Sequence, residues 1–409
     1  MTVWFVACDD DDPKKPKKPD IPEVKTTEVT MELKLPENFE YKQEGEVLKN
    51  VTLVLTNVNS GLETKVNVTD LFPKTTVEDG LYNLLIEGEA VYQTQNIDSS
   101  NVEKTIKVRG AKENINITGG EFSFDVALFF FNENSGFVLS EILFTGTKTP
   151  EGKQYNDDKY IEIHNNSSEV LYADGLCVAE TAFNTALYLN SLEPNIISTH
   201  TAVKAVYKIP GTGKDYPVQP GETILLCDKA IDHTAINANS FDLSGANFEW
   251  FDGEDLDTDA PEVENMIKMV SGFKSAWPLH NRGFTSYILF KLDGVTPEQF
   301  TTDYAYHYDY LFIFNDKTYE MDGDCWKVPN ENIIDAVECS TPSDFEWKVL
   351  DPSLDLTWTH SGDADDARYG KSVSRKTDRV ENGRIILLDT NDSGMDFTPT
   401  SEPTPGKVE

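Results

Sequence analysis

The sequence predicts an all-β protein made of two antiparallel sandwiches, the second carrying long loop insertions. Three observations carry this prediction. Period-two alternation recurs along the chain, as in Val29–Leu35 (V-T-M-E-L-K-L), Val51–Leu55 and Tyr160–His164, and that period is what a half-buried strand requires. Turn chemistry punctuates these runs at Asn57–Gly61, Asp79-Gly80, Asn165–Ser168 and Asp174-Gly175. Hydrophobic residues make up 39% of the 409 residues and aromatics 11%, enough for more than one packed core and too much for disorder.

The elements follow in chain order. Met1–Ala7 is a short apolar run ending in a small residue before Cys8, and Asp9, Asp10, Asp11 and Asp12 follow directly. This junction resembles the end of a lipoprotein signal peptide, with residues 1–7 as its remnant. The four aspartates resemble the surface-export signal of Bacteroidota lipoproteins. The resemblance implies a lipid on Cys8 and display from the outer membrane toward the cell exterior. A diacylglycerol plus an N-acyl chain anchors firmly, where one chain alone is marginal. Residues 8–26 then form a tether in which Lys14–Lys18 sits inside a proline-stiffened stalk. No other stretch has the roughly 18 apolar residues that a spanning helix needs.

Residues 27–132 read as a first sandwich, closing on the strand-like Glu121–Phe130. Val51 to Gly61 and Gly80 to Gly88 resemble the carboxypeptidase-regulatory or transthyretin-like sandwich, which implies a spacer or docking module. The polar break N-E-N-S-G at Asn132–Gly136 separates it from residues 137–409. There Ser140-Glu141-Ile142, Lys159–Asn165, Gly175-Leu176, Val218–Glu222 with Thr223–Cys227, Asp242–Gly245, Ile333–Glu338, Ser372–Arg375 and Pro403–Gly406 occur in an order that resembles the lamin-tail domain. That family is an immunoglobulin-like sandwich of about half this length, so long insertions must separate the shared strands. The whole arrangement is similar to Bacteroidota surface lipoproteins of unknown function.

A net charge of −36 repels phosphates and anionic headgroups, which sets nucleic acid aside as a partner. Candidate contact residues cluster in the insertion Phe248–Asn281, where Trp250, Phe251, Phe273 and Trp277 accompany eight carboxylates. On an exposed loop these aromatics are anchors for a protein or a sugar; turned inward they pin the loop to the body. Asp255, Asp257 and Asp259 have the alternating spacing of a calcium loop without its glycine and distal glutamate, and calcium is the one cofactor they suggest. Tyr304, Tyr306, Tyr308 and Tyr310 share one face of a strand opposite Ala305, His307 and Asp309. They form either a cross-strand packing ladder or a ligand edge. Leu311–Asn315 continues that strand, and Asp322-Gly323 reads as its turn. His360 with Asp363 and Asp366 is a second metal candidate. Cys177, Cys227, Cys325 and Cys339 allow either two disulfides or buried thiols.

HExxH, P-loop and Rossmann motifs do not occur, nor does GxSxG in an elbow context. The leader and the resemblance to Bacteroidota surface lipoproteins imply a noncatalytic surface lipoprotein, an accessory or ligand-binding partner of a TonB-dependent outer-membrane transport system. The alternatives are a carbohydrate-binding lipoprotein using the aromatic loops and a hydrolase using loop carboxylates.

Overall fold

A computed structural model describes residues 25–36, 47–95, 101–130, 136–253, 255–315 and 317–408. Cys8, Asp9–Asp12, the lysine-proline stalk and most of the break before Phe137 lie outside them.

The chain is all-β, as expected. In the first unit Lys74–Glu78, Thr26–Lys34 and Glu121–Ala127 form one sheet. Glu63–Val68, Leu48–Asn57, Gly80–Gln95, Asn101–Ile117 and Phe129–Phe130 form the other. Alternation does the sorting: Val29, Met31 and Leu33 face Leu53, Leu55 and Ile86 in one core, and the intervening residues of Thr26–Lys34 are mostly exposed.

The strands of the second unit are numbered from its own start. One sheet runs in the order β8-β7-β6-β2-β1-β14-β15, where β1 is Phe137–Leu143, β2 Tyr160–Asn165, β6 Thr223–Cys227, β7 Phe248–Glu249, β8 Glu264–Asn265, β14 Ser372–Arg375 and β15 Phe397–Ser401. The other runs β4-β11-β12-β5-β3-β10-β13, with β3 Leu176–Thr181, β4 Asn190–Glu193, β5 His200–Lys208, β10 Tyr287–Lys291, β11 Ala305–Phe314, β12 Lys317–Pro329 and β13 Ile333–Val337. β9 (Ile267–Ser271) pairs beside β5. Helix α1, Pro297–Asp303, precedes β11 and is held by a capping box between Thr296 and Gln299. β1, β2 and β3 are buried at every position, so they read as apolar runs interrupted by buried polar residues.

Those buried polar residues are the motif residues, and they bind one another. Glu141 on β1 and Glu162 on β2 stand directly opposite. Thr404 donates to Glu141 through its amide and its hydroxyl, Ser372 donates to Glu141, and the Gly406 amide donates to Glu162. The Pro403–Gly406 stretch thus clasps two glutamates, Glu141 and Glu162, that occur 263 and 244 residues before the Thr404 and Gly406 they bind. Arg375 is the second hub. Its guanidinium is fully buried, donates to the Leu139 and Leu388 carbonyls, and pairs with Asp335 (2.6 Å), Asp389 (3.3 Å) and Asp396 (3.4 Å). Asp335 also accepts from the Leu139 amide, so β13 and β14 together fix both backbone groups of one β1 residue.

Like charges directly opposite on adjacent strands are unfavourable unless one is neutral. Burial lifts Glu141 above the ordinary carboxylate range and lifts Glu162 well above it, with the Glu141 charge adding to the second effect. Burial raises Asp228 well above that range too, and Asp396 to about 7 against the pull of Arg375. A raised folded-state pKa means that the folded state holds its proton more tightly. The stability it contributes is complete below the unfolded value and is lost as pH rises through the folded value. Buried histidines such as His280, lowered to about 4 by burial, act oppositely but only below the ordinary histidine value of 6.5. The melting temperature should therefore fall as pH rises from 6.5 through about 7, where Asp396 gives up its proton, and Asp396→Asn should flatten that fall. A melting temperature that rises across this window would contradict the assignment.

Candidate functional site

The insertion Phe248–Asn281 does not present its tryptophans. Trp250 and Trp277 are 0% and 1% exposed. Trp277 stacks on Tyr207 at 4.8 Å between ring centres and meets Trp250 at 5.1 Å. Its indole donates to Glu180 (2.6 Å), and its amide donates to Asp252 (2.8 Å). Asp252 also accepts from the Tyr207 hydroxyl and from Lys268. Glu249 accepts from the Ala230 and Ala260 amides. Two of the loop's carboxylates, Glu249 and Asp252, turn inward and tie it to the body by satisfying buried donors. This corrects the reading of Trp250 and Trp277 as surface anchors: they are core. Phe251 and Phe273 are half-buried, and the Lys204 ammonium lies 4.5 Å from the Phe273 ring centre.

Of the three aspartates suggested for calcium, two make separate contacts. Asp259 accepts from the Asn265 amide, Asp257 lies 4.0 Å from the Lys229 ammonium, and Asp255 is exposed. Among the described residues no three His, Cys, Asp or Glu side chains are grouped to hold a metal. His360 accepts from the Gly362 amide, while Asp363 is engaged by Ser343 and Asp366 by Lys148, so that trio is dispersed. Cys177, Cys227, Cys325 and Cys339 are free and buried. Burial pushes the Cys325 thiol up to about 12, which makes it inert as a nucleophile. A cleft of about 770 Å³ between residues of the first and second units contains Arg109, Lys107 and Arg379, but each is paired with an acid: Glu87, Glu89 and Asp378.

The tyrosine strand is where the molecule opens. β11 and β12 are paired along the whole of β11, from Ala305↔Trp326 to Phe314↔Lys317. The sequence placed a turn at Asp322-Gly323; the structure keeps both within β12 and turns the chain after Phe314, at Asn315 with φ 49. Residues opposite one another share a face. One face of the hairpin therefore carries Tyr306, Tyr308, Tyr310, Phe312 and Phe314 with Cys325, Gly323, Met321, Tyr319 and Lys317. The other carries His307, Asp309, Leu311 and Ile313 with Asp324, Asp322, Glu320 and Thr318.

The aromatic face is buried at its base and bare at its end. Tyr306 is 4% exposed, donates to the Pro194 carbonyl (2.7 Å), and packs with Phe183. Tyr308 meets Phe183 edge-on at 5.2 Å and lies over Gly323, where a Cβ would come within 2.5 Å of its ring. Tyr304 stacks on Phe300 of α1 at 4.8 Å. Packing is thus the role of Tyr304, Tyr306 and most of Tyr308. Beyond Tyr310 the support ends: on this face Phe314 is 56% exposed, Tyr319 44% and Met321 41%, and Ile313 on the opposite face is 53% exposed. Phe312 and Phe314 stack on each other at 6.2 Å, and Phe312 meets Tyr319 at 6.4 Å. Aromatic contacts continue at the base from Phe183 to Trp347 to the exposed Tyr188. Phe312, Phe314, Tyr319 and Met321 are the surface residues that the sequence reading did not single out. Their signal was the period-two run Thr318–Met321 opposite Tyr310–Ile313, obscured by taking Asp322-Gly323 as the turn.

Residues 219–404 match the family model DUF4876, described as a protein of unknown function. No curated protein matches the chain. Among solved structures, the chain is similar to a DUF4876 family protein from Bacteroides thetaiotaomicron VPI-5482, at 21% identity and a TM-score of 0.55, over 94% of this chain and 98% of that one. That likeness is one of fold. A candidate cell adhesion protein from Bacteroides eggerthii DSM 20697 covers 74% of this chain and 79% of its own, at 8% identity and a TM-score of 0.20. A candidate adhesin from Bacteroides ovatus ATCC 8483 covers 79% and 88%, at 9% identity and a TM-score of 0.18. Scores that low carry no argument.

Proposed function

We propose that this chain is a non-enzymatic lipoprotein, anchored in the outer membrane through Cys8 and facing the exterior, that grips a protein partner with the free end of the β11–β12 hairpin. One observation carries the reading: the bare aromatic end from Phe312 to Met321. Large contiguous apolar surface on a soluble protein marks an interaction site, and aromatics held on a rigid scaffold are the usual anchors. The convergence of Glu141, Glu162, Arg375, Ser372 and Thr404 in one buried network supports a lamin-tail-like second unit. The first sandwich then serves as a carboxypeptidase-regulatory-like spacer above the tether. The partner is an outer-membrane transporter of the TonB-dependent kind. The glycan reading rested on Trp250 and Trp277 and loses them to the core. Two of the loop carboxylates a hydrolase would use, Glu249 and Asp252, are occupied by backbone and tyrosine donors.

A photo-crosslinking residue at position 319 in whole cells tests this. One outer-membrane adduct is expected, lost on Phe314→Ser without a change in melting temperature, and released from the membrane fraction on Cys8→Ala. No adduct, or one indifferent to Phe314→Ser, overturns the proposal.

A further inference from the structure

The hairpin has a second unused feature, its outer edge. β12 pairs with β11 along nearly its whole length, but with β5 only from Trp326 to Pro329. From Lys317 to Cys325 no strand lies against its outer edge among the described residues, and Lys317–Asp322 and Asp324 are exposed. Two residues separate the paired Phe314 and Lys317, so the closing pair of this hairpin exchanges both of its backbone hydrogen bonds. Antiparallel pairs alternate between bonded and non-bonded. Lys317, Tyr319, Met321 and Gly323 therefore bond inward to β11, while Thr318, Glu320, Asp322 and Asp324 aim their backbone groups outward. Two bonds at the base agree with this parity. The odd-numbered Lys327 donates its amide to Tyr304, on the β11 side, and the even-numbered Asn330 donates its amide to Thr199, on the β5 side.

We propose, resting on the hairpin reading above, that this edge receives an extended segment of the partner in which apolar and basic residues alternate. The pleat dictates the alternation. A strand added to β12 places every second side chain beside Tyr319 and Met321, and the others beside Glu320, Asp322 and Asp324. The first set meets aromatic and thioether surface, which selects apolar residues. The second meets carboxylates of which only Asp324 is matched, by His307 at 2.8 Å; Glu320 and Asp322 make no side-chain ion pair or hydrogen bond among the described residues. That selects lysine or arginine. The same carboxylates oppose a second copy of this chain, because edge-to-edge pairing would set Glu320, Asp322 and Asp324 against their own kind. A chain of net charge −36 is equally unsuited to an anionic lipid surface.

The probe is a fluorescein-labelled octapeptide alternating valine and lysine, titrated by anisotropy against the full chain. Two controls share its length: four valines followed by four lysines, and an alternation of valine and glutamate. The alternating basic peptide is expected to bind at least ten-fold more tightly than either control. Glu320→Pro removes one outward amide and leaves the inward bonds and the aromatic face in place, so it should cost at least ten-fold while the melting temperature holds. Should that variant not fold, Glu320→Lys with Asp322→Lys replaces it and should reverse the preference toward the glutamate peptide. Equal binding of the block peptide reduces the effect to charge attraction and overturns the proposal. So does a folded Glu320→Pro that binds normally, or a dimer in sedimentation that the same change abolishes. If the position-319 crosslink survives Glu320→Pro but not Phe314→Ser, the hairpin reading stands and strand addition fails. If the crosslink never forms, both fail.

Discussion

Trp277→Ala should unfold the second unit. The side chain is sealed between Tyr207 and Trp250, and truncating a buried tryptophan or phenylalanine costs about 3–5 kcal/mol in transfer and cavity terms. The indole also donates to Glu180, a carboxylate that burial already raises above its ordinary range. Leaving that acceptor short of one donor adds roughly 1–3 kcal/mol. The total approaches the whole stability of an ordinary domain, about 5–15 kcal/mol. Urea titration followed by tyrosine and tryptophan fluorescence reads it directly. Trp277→Phe separates the two terms, since it keeps most of the ring volume and loses only the indole donor, so it should recover more than half of the loss. A Trp277→Ala protein whose urea midpoint matched wild type would mean that the ring is not core.

Arg375→Met should cost about 3–5 kcal/mol, because it strips the cation from Asp335, Asp389 and Asp396 and leaves buried negative charge unmatched. For a unit of this size that corresponds to a fall of roughly 10 °C in melting temperature. Arg375→Lys should restore only part of it. A lysine has one charged centre, whereas this guanidinium reaches two carbonyls and three carboxylates at once. Adding Asp335→Asn to Arg375→Met should give back stability, since breaking one side of a buried pair is worse than removing both. A double variant less stable than the single would show that the bond from the Leu139 amide to Asp335 outweighs the pairing with the arginine.

The strands were legible wherever one face is solvated. Thr26–Lys34 alternates because one side meets a core and the other meets water, and its register could be read letter by letter. The ordered motifs of the second unit were legible as well, although their chemistry was not. Nothing local to Glu141 says that its donors come from Thr404. The insertion failed as a surface for the same reason. Asp252 and Trp277 look solvated and grippable among so many acids, but their partners Tyr207 and Glu180 lie 45 and 97 positions away. The hairpin failed at a single dipeptide. Asp-Gly is the ordinary mark of a turn, yet Gly323 is there to make room for the Tyr308 ring. Once that dipeptide returns to the strand, the aromatic face extends to its bare end.

The clasp of Pro403–Gly406 over Glu141 and Glu162 also governs when the molecule can fold. β1 lies between β2 and β14, and the Ser372 that binds Glu141 comes 231 residues later. A chain leaving the ribosome amino end first carries β1 with one flank open until Ser372–Gly406 has followed it. Pairings that distant make folding slow, because a large loop must close before any contact rewards it. The second unit consequently stays unlocked throughout its synthesis, and its first sheet closes only after its final strands arrive.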